Sequence, residues 1–168
     1  MDTQELKALQ APLKQRYRED PHAALITLHA KGSLSDGISC SVETGQALTR
    51  AGLHPATGGD GFAACSGDML LQALVACAGV TLSSVATARG IELRDGTVHA
   101  DGDLDFRGTL GIDREAPVGF RDIRLRFELD TDASDEQITE LLATTERYCV
   151  VLQTLRNSPP VETSVSRG

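Results

Sequence analysis

The sequence predicts an α+β fold with mostly antiparallel sheet. Three observations lead to this fold class. Residues 69–88 form an apolar stretch without a single charged side chain. Segments with the alternating pattern of half-buried strands lie before and after that stretch. Two helical segments then follow close to the C-terminus, so strands and helices do not alternate as they would in a parallel α/β fold.

The N-terminal segment, residues 3–19, is predicted to be helical. It is rich in Leu, Lys, Arg and Glu, and it stops before Pro21, which disfavours helix in the residue ahead of it. Pro12 interrupts the segment, which therefore forms either one kinked helix or two short ones.

The first strands are predicted upstream of the apolar stretch. Residues 23–30 alternate loosely and predict a strand, a turn follows around residues 32–37, and residues 38–43 form its antiparallel partner. Residues 45–64 are rich in Gly, Pro and Ala, so part of this region is expected to be a strand and the rest a loop.

The apolar stretch predicts one long central helix. Ser66 is expected to be its N-cap, and Asp68 lies in the first turn, where the helix dipole favours an acidic side chain. Arg89 and Gly90 supply a C-terminal cation and a C′ glycine. The length raises the question of a membrane span, but polar residues along the helix and the lack of basic flanks favour a buried helix. A helix that is apolar all round must be covered on every side, which predicts a dimer.

Two further strands and two helices are predicted downstream. Residues 91–106 alternate, and residues 119–129 do so more clearly. In the second strand the apolar side chains point to one face: Ile123, Leu125, Phe127 and Leu129. Ser134 is expected to cap a helix that runs to Arg147. Residues 149–155 continue as a helical segment, and residues 161–165 are expected to be a final strand.

The bulk composition limits the classes of function. The 168 residues fit one domain, and the formal charge of −8 with scattered Lys and Arg argues against nucleic acid or an anionic membrane as a partner. The N-terminus lacks the pattern of a signal peptide, so we expect a cytoplasmic protein whose thiols stay reduced. There is no CxxC spacing, the four histidines are isolated, and the glycines of residues 57–61 lack the Lys-Ser/Thr of a phosphate loop. We therefore expect neither a metal nor a cofactor.

The cysteines allow two interpretations. Two of them are partners in redox chemistry, or they are small side chains packed in the core. Cys65 and Cys77 are about 18 Å apart if the helix begins between them, beyond the ~7 Å between α-carbons that a disulfide allows. Cys149 is far away in sequence and is free to lie beside Cys77. Cys40 is on a predicted strand and could pair with any other cysteine, so it does not limit the possible pairings. Considered on its own, Cys65 at the helix N-terminus would be the obvious low-pKa thiol. The residues alone do not decide which cysteine is reactive.

Two motifs, each centred on a cysteine, resemble a known family. Residues 66–82 read SGDMLLQALVACAGVTL, residues 148–155 read YCVVLQTL, and Arg89-Gly90-Ile91 follows the first motif. Over residues 23–167 the chain resembles the OsmC/Ohr family of osmotically inducible and organic hydroperoxide resistance proteins. The resemblance implies a single domain over residues 1–168, in which residues 1–20 are an added N-terminal helical segment. It also implies an intertwined homodimer with sheets wrapped around long central helices.

The resemblance further implies a thiol peroxidase with Cys77 as the peroxidatic and Cys149 as the resolving cysteine. The substrate would be an organic hydroperoxide, and a dithiol reductant such as a lipoylated protein would reopen the Cys77–Cys149 disulfide. Lys31 and Asp68 stand near the positions of the arginine and glutamate of active members and are the accessory candidates. Val150 stands where the second motif has proline. The alternative is an inactive relative that binds a hydrophobic small molecule or acts as a stoichiometric thiol redox sensor.

Overall fold

The structure, a computed structural model, describes residues 2–5, 8, 11, 15, 19, 31–35, 39–43, 48–111 and 113–167. Over residues 31–35, 39–43 and 48 the description concerns the backbone. In the N-terminal segment, residues 3–5, 8, 11, 15 and 19 are helical, in agreement with the prediction, while Pro12 lies outside the described residues. The Thr3 hydroxyl donates to the carbonyl of Thr87 at 2.7 Å, which ties this segment to the end of the central helix.

The first sheet has the strand order β1-β2-β3-β4. Its strands are β1 (Lys31–Ser35), β2 (Ser39–Glu43), β3 (Leu48–Gly52) and β4 (Ala64–Cys65). The first three pair antiparallel, and β4 runs parallel to β3. The strand predicted at residues 38–43 is confirmed, and the one predicted at residues 23–30 lies outside the described residues. The turn predicted around residues 32–37 is wrong for residues 32–35, because pairing with β2 outweighs the turn tendency of Gly and Ser.

The central helix α1 spans Ser66–Arg89. Its N-cap is Cys65, with extended backbone at φ −76° and ψ 132°, so the prediction of Ser66 as the cap is wrong by one residue. The reason is that β4 ends at Cys65 and leads directly into the helix. Asp68 does lie in the first turn. Gly90 is the predicted C-terminal glycine, with φ +69° and its N–H directed at the carbonyls of Ala86 and Thr87.

The buried face of α1 is a single stripe with a spacing of four residues. It consists of Leu74, Ala78, Leu82 and Ala86. The opposite face is open within one chain, where Val80 is 73% exposed. By length and composition alone α1 meets the criterion for a membrane span, a test that core helices also pass. Here α1 packs on the second sheet and on both C-terminal helices, so it is the core element of the fold.

The second sheet covers the buried stripe of α1. It pairs β5 (Asp95–Leu104) with β6 (Phe120–Asp130) antiparallel, and the short helix α2 (Phe106–Thr109) lies between them. Both strands match the predicted segments apart from their ends, since Phe106 already belongs to α2. The alternation in β6 is confirmed, with four apolar side chains facing inward: Ile123, Leu125, Phe127 and Leu129.

Two helices complete the chain, α3 (Asp135–Tyr148) and α4 (Val150–Arg156). Ser134 caps α3 as predicted, and Gln137 closes a reciprocal capping box with it. The final strand predicted at residues 161–165 is wrong, because this segment has no regular structure and no described strand pairs with it. Its valines, Val161 and Val165, are 80% and 85% exposed.

Candidate functional site

Two of the predicted site residues, Cys77 and Cys149, meet in the hydrophobic core. Cys77 lies in the middle of α1 and is half-buried. It packs against a cluster made of Leu74, Ala78, Cys149 and Leu152. Cys149 is fully buried, with 0% exposure. Both thiols are free. The fold therefore joins two sequence segments that are far apart along the chain.

The position of Cys149 follows from a break between two helices. It ends α3 and precedes α4, with extended backbone at φ −72° and ψ 105°. Its N–H donates to the carbonyl of Thr145 at 2.9 Å, and its own carbonyl accepts from the N–H of Gln153 at 2.9 Å. The single extended residue redirects the chain between α3 and α4 while both of its backbone groups stay bonded. The thiol is thereby fixed against α1 and Cys77.

Four groups counteract the burial of the Cys77 sulfur. Burial alone would raise the pKa of Cys77, but the backbone N–H of Val151, the Cys149 thiol, the backbone N–H of Val150 and the Thr81 hydroxyl all interact with the sulfur. Together they outweigh burial and hold the pKa of Cys77 below the ordinary value of a thiol. Among the residues that the structure describes, these leading influences include no lysine or arginine.

Cys149 shows the opposite behaviour. Burial raises its pKa, and the neighbouring Cys77 sulfur raises it further, although the backbone N–H groups of Leu152 and Val151 act in the other direction. The pair thus has one thiol that ionises easily and one that keeps its proton. A protonated Cys149 donates its hydrogen bond to the Cys77 thiolate, which is why each shift supports the other.

Thr81 is a site residue that the sequence analysis missed. It lies one helical turn after Cys77, and its hydroxyl donates to the Cys77 carbonyl at 2.7 Å. The same hydroxyl also acts on the Cys77 sulfur. A hydroxyl carries one proton, so the two acceptors compete for it. The spacing of four residues from a cysteine within a predicted helix was the available signal.

Of the two accessory candidates, Asp68 does not join the two cysteines within one chain. Asp68 is exposed in the first turn of α1, about 14 Å along the helix axis from Cys77. Lys31 begins β1, and its side chain is outside the description, as is that of Cys40 in β2. Cys65 lines a separate cavity of about 360 Å³ with His54 and Phe120. It lies at the start of α1, away from the pair.

A groove lies beside Thr81, one helical turn beyond Cys77. It has a volume of about 590 Å³ and runs along the open side of α1, between this helix and the end of α3. Val80, Thr81, Val85 and Tyr148 are among its lining residues. Apolar side chains, hydroxyls and the guanidinium of Arg89 line it together, which suits an organic molecule with a polar end. Among the described residues, no group of three His, Cys, Asp or Glu side chains is arranged to hold a metal ion.

Comparison with known proteins gives a consistent result. Residues 58–164, more than half of the chain, match the family described as OsmC-like protein. An OsmC-like protein from Mycoplasma pneumoniae has a similar structure, with a TM-score of 0.66 at 20% identity over 79% of this chain and 89% of the other. A search of curated protein sequences gave no significant match.

Two organic hydroperoxide resistance proteins also share the fold. The one from Legionella pneumophila has a TM-score of 0.62 at 20% identity, over 80% of this chain and 92% of that chain. The one from Elizabethkingia anophelis has a TM-score of 0.63 at 17% identity, over 80% and 91% of the respective chains. At such identities the likeness establishes the α+β fold with its mostly antiparallel sheets.

Proposed function

The chain belongs to the OsmC-like protein family, and we propose that it is a thiol peroxidase that reduces organic hydroperoxides. The observation that carries the proposal is the contact between Cys77 and Cys149, in which one thiol has a lowered and the other a raised pKa. A peroxidatic cysteine must be a thiolate, and a resolving cysteine must stay a thiol until it is needed. The fold shared with two organic hydroperoxide resistance proteins supports the same reaction.

The first step consumes the peroxide. The Cys77 thiolate attacks the terminal oxygen of the hydroperoxide, the O–O bond breaks, and the alkoxide leaves and takes up a proton to become an alcohol. Sulfur is oxidised to the sulfenic acid, and the peroxide is reduced by two electrons. The apolar surroundings of Cys77, including Leu74 and Val151, favour an organic over an inorganic peroxide.

The second step closes a disulfide. The Cys149 sulfur attacks the sulfenic sulfur of Cys77, the S–O bond breaks, and the departing hydroxide takes the Cys149 proton and leaves as water. A dithiol, such as the reduced lipoyl group of a protein, then exchanges with the Cys77–Cys149 disulfide and is itself oxidised. This cycle fits a cytoplasmic protein, since that compartment keeps thiols reduced.

The test uses fully reduced protein and two peroxides. Cumene hydroperoxide should remove two thiols per chain within seconds, and mass mapping should locate a Cys77–Cys149 disulfide, while hydrogen peroxide reacts more slowly. Cys149→Ser should stop at a Cys77 sulfenic acid that dimedone traps. If cumene hydroperoxide at modest excess leaves all thiols intact, the peroxidase proposal is wrong. Binding of a hydrophobic molecule without reaction would then be the better description.

We also propose that the active form is a homodimer in which a second copy covers the open face of α1. This face carries Gln72, Ala73, Ala76, Val80 and Ser83, all exposed within one chain. Apart from Gln72, these side chains are small or apolar, which allows close approach of another helix. Sedimentation should give a dimer, and Val80→Asp should dissociate it. Val161→Asp, at a similarly exposed valine in the C-terminal segment outside α1, is the matched control. A monomeric wild type would contradict the proposal.

A further inference from the structure

The end of α3 leaves a backbone carbonyl that the helix itself cannot use. In an unbroken helix the carbonyl of Glu146 would accept from the N–H of Val150, four positions further on. The extended backbone of Cys149 ends α3 before that bond, and α4 begins as a new helix at Val150. Because this carbonyl lies in a partly buried place, it needs a donor from elsewhere in the chain.

Gln153 supplies that donor with its side chain. Its amide nitrogen Nε2 donates to the carbonyl of Glu146 at 2.8 Å, across seven residues of sequence. The backbone N–H of the same residue donates to the carbonyl of Cys149 at 2.9 Å. Gln153 therefore holds the chain at two points of the break, at Cys149 itself and three residues before it.

Asn157 fixes the orientation of the Gln153 amide. This residue is the C-cap of α4, and its Nδ2 donates to the Oε1 atom of Gln153 at 3.3 Å. An amide that accepts at its oxygen presents its NH₂ group on the other side, and that side is where the carbonyl of Glu146 lies. The donor end of the Gln153 side chain is thereby directed at α3.

A second link between the same two helices is exposed to solvent. Arg156 pairs with the carboxylate of Glu146 at 2.8 Å, and both side chains are about half exposed. An exposed ion pair stabilises little, because water screens the charges and two long side chains lose their freedom. The Gln153 bond is partly buried and neutral. We therefore expect it to contribute more to the rigidity of the break than the ion pair does.

We propose that Gln153 is a positioning residue that holds the Cys149 thiol against Cys77. Cys149 is fully buried in the cluster against which Cys77 packs, so its reach to Cys77 depends on the shape of the break. Holding one thiol beside the other raises its effective concentration and makes the disulfide easier to form. The role in peroxide turnover rests on the proposed function, whereas the equilibrium between the two thiols and their disulfide is measurable without peroxide.

Gln153→Met tests the proposal, because methionine has a similar length and helix propensity but no N–H donor in its side chain. The reduced protein is equilibrated with oxidised and reduced dithiothreitol. The ring disulfide of the reagent is reduced as Cys77 and Cys149 lose two electrons and two protons to form theirs. Mass mapping then gives the fraction of chains that carry the Cys77–Cys149 disulfide.

The equilibrium constant for this disulfide should be about fivefold lower in Gln153→Met than in wild type, because a neutral hydrogen bond no longer holds the reduced pair in place. Gln153→Glu should behave in the same way at neutral pH, since an ionised carboxylate can only accept. A folded Gln153→Met protein with the wild-type constant would overturn the proposal.

Arg156→Met is the matched control, since it removes the exposed link between α3 and α4. It should leave the equilibrium constant within about twofold of wild type. If Arg156→Met lowers the constant as much as Gln153→Met does, any link between the two helices suffices and the specific role of Gln153 is refuted. Urea denaturation of the reduced proteins shows whether the two variants differ in overall stability.

A measurement on the wild type decides the matter if the Gln153 variants do not fold. The side-chain amide protons of Gln153 should exchange with solvent more slowly than those of a free glutamine, and exchange at the free rate would overturn the proposal. If peroxide is not consumed but Gln153→Met shifts the equilibrium, the proposed function fails and the positioning role stands. If peroxide is consumed through a Cys77–Cys149 disulfide but Gln153→Met leaves the equilibrium unchanged, the positioning role alone fails.

Discussion

Two helix beginnings in this molecule carry cysteines nearby, and they treat them differently. At the start of α1, a helix of 24 residues, Cys65 is the N-cap, yet its thiol makes no capping hydrogen bond. At the start of α4, a helix of seven residues, the N–H groups of Val150 and Val151 act on a sulfur that belongs to another helix. The shorter helix therefore acts on a thiol outside itself, while the side chain of Cys65 makes no hydrogen bond to the first turn of the longer one.

The comparison teaches that the start of a helix can act on a thiol that belongs to another helix. The electrostatic effect of a helix is confined to its terminal turn, where free N–H groups either reach an acceptor or do not. Cys77 gains nothing from the start of its own helix, which lies several turns away. It gains from a neighbouring helix whose free donors are directed at it, together with Cys149 and Thr81.

The largest effect is expected when Cys77 and Cys65 are each replaced in turn. Cys77→Ser should lower the rate of cumene hydroperoxide consumption by at least about a thousandfold, because a serine hydroxyl is not ionised at neutral pH and the nucleophile is lost. Cys65→Ser should keep the wild-type rate, since Cys65 lies at the start of α1, away from the pair. Stopped-flow measurement of peroxide loss compares the two variants directly.

The reverse outcome would also be informative. Should Cys65→Ser abolish the reaction while Cys77→Ser retains it, the long helix would hold the reactive thiol and the interpretation of α4 would be wrong. Circular dichroism of both variants separates a lost nucleophile from a lost fold.

Local signals in the sequence predicted much of the architecture. The alternation in β6, the Ser134 cap of α3 and Gly90 at the end of α1 depend on neighbours along the chain, and all three are confirmed. The strand predicted at residues 161–165 is wrong because a strand also needs a partner strand, which the local pattern does not supply. Its alternating valines satisfy the local pattern, but no described strand lies beside them to accept the hydrogen bonds.

The site was only partly predictable. The resemblance selected Cys77 and Cys149, and the fold brings them together. Nothing in the sequence indicated the donors at Val150 and Val151, because every residue except proline has a backbone N–H. Whether such an N–H is free to act on a sulfur depends on where the preceding helix ends. That break is at Cys149, whose extended backbone could not be distinguished from a continuous helical segment over residues 149–155.

A smaller effect is expected at Thr81. Thr81→Val keeps the shape of the side chain but removes the hydroxyl that helps to lower the pKa of Cys77. The pKa of Cys77 should therefore rise, and the pH profile of alkylation should move upward. A neutral hydrogen bond contributes about 0.5–1.5 kcal/mol, and because the hydroxyl is shared with the Cys77 carbonyl, we expect about a two- to threefold slower reaction at neutral pH.

The matched control for Thr81 lies on the same helix. Thr87 donates to the carbonyl of Ser83 at 2.8 Å in the same four-residue spacing, far from either cysteine. Thr87→Val should leave the alkylation of Cys77 unchanged. Equal slowing in both variants would show that the effect comes from the helix backbone and not from the contact with sulfur.

The smallest expected effect concerns stability at the start of α1. Cys65 has the extended backbone of an N-cap, and its sulfur lies over Gly67, since a Cβ built at that glycine would be 3.6 Å from it. A serine oxygen at this place can accept from a free N–H of the first turn, which the larger and weaker sulfur acceptor does not do. Cys65→Ser should therefore raise the free energy of unfolding by about 0.5–1 kcal/mol, and Cys65→Ala should give no such gain. Urea denaturation of the three proteins measures the difference. If the Cys65→Ser and Cys65→Ala variants are equally stable, the free N–H groups of the first turn of α1 already have acceptors. The two helix beginnings would then differ only in the groups that accept from them.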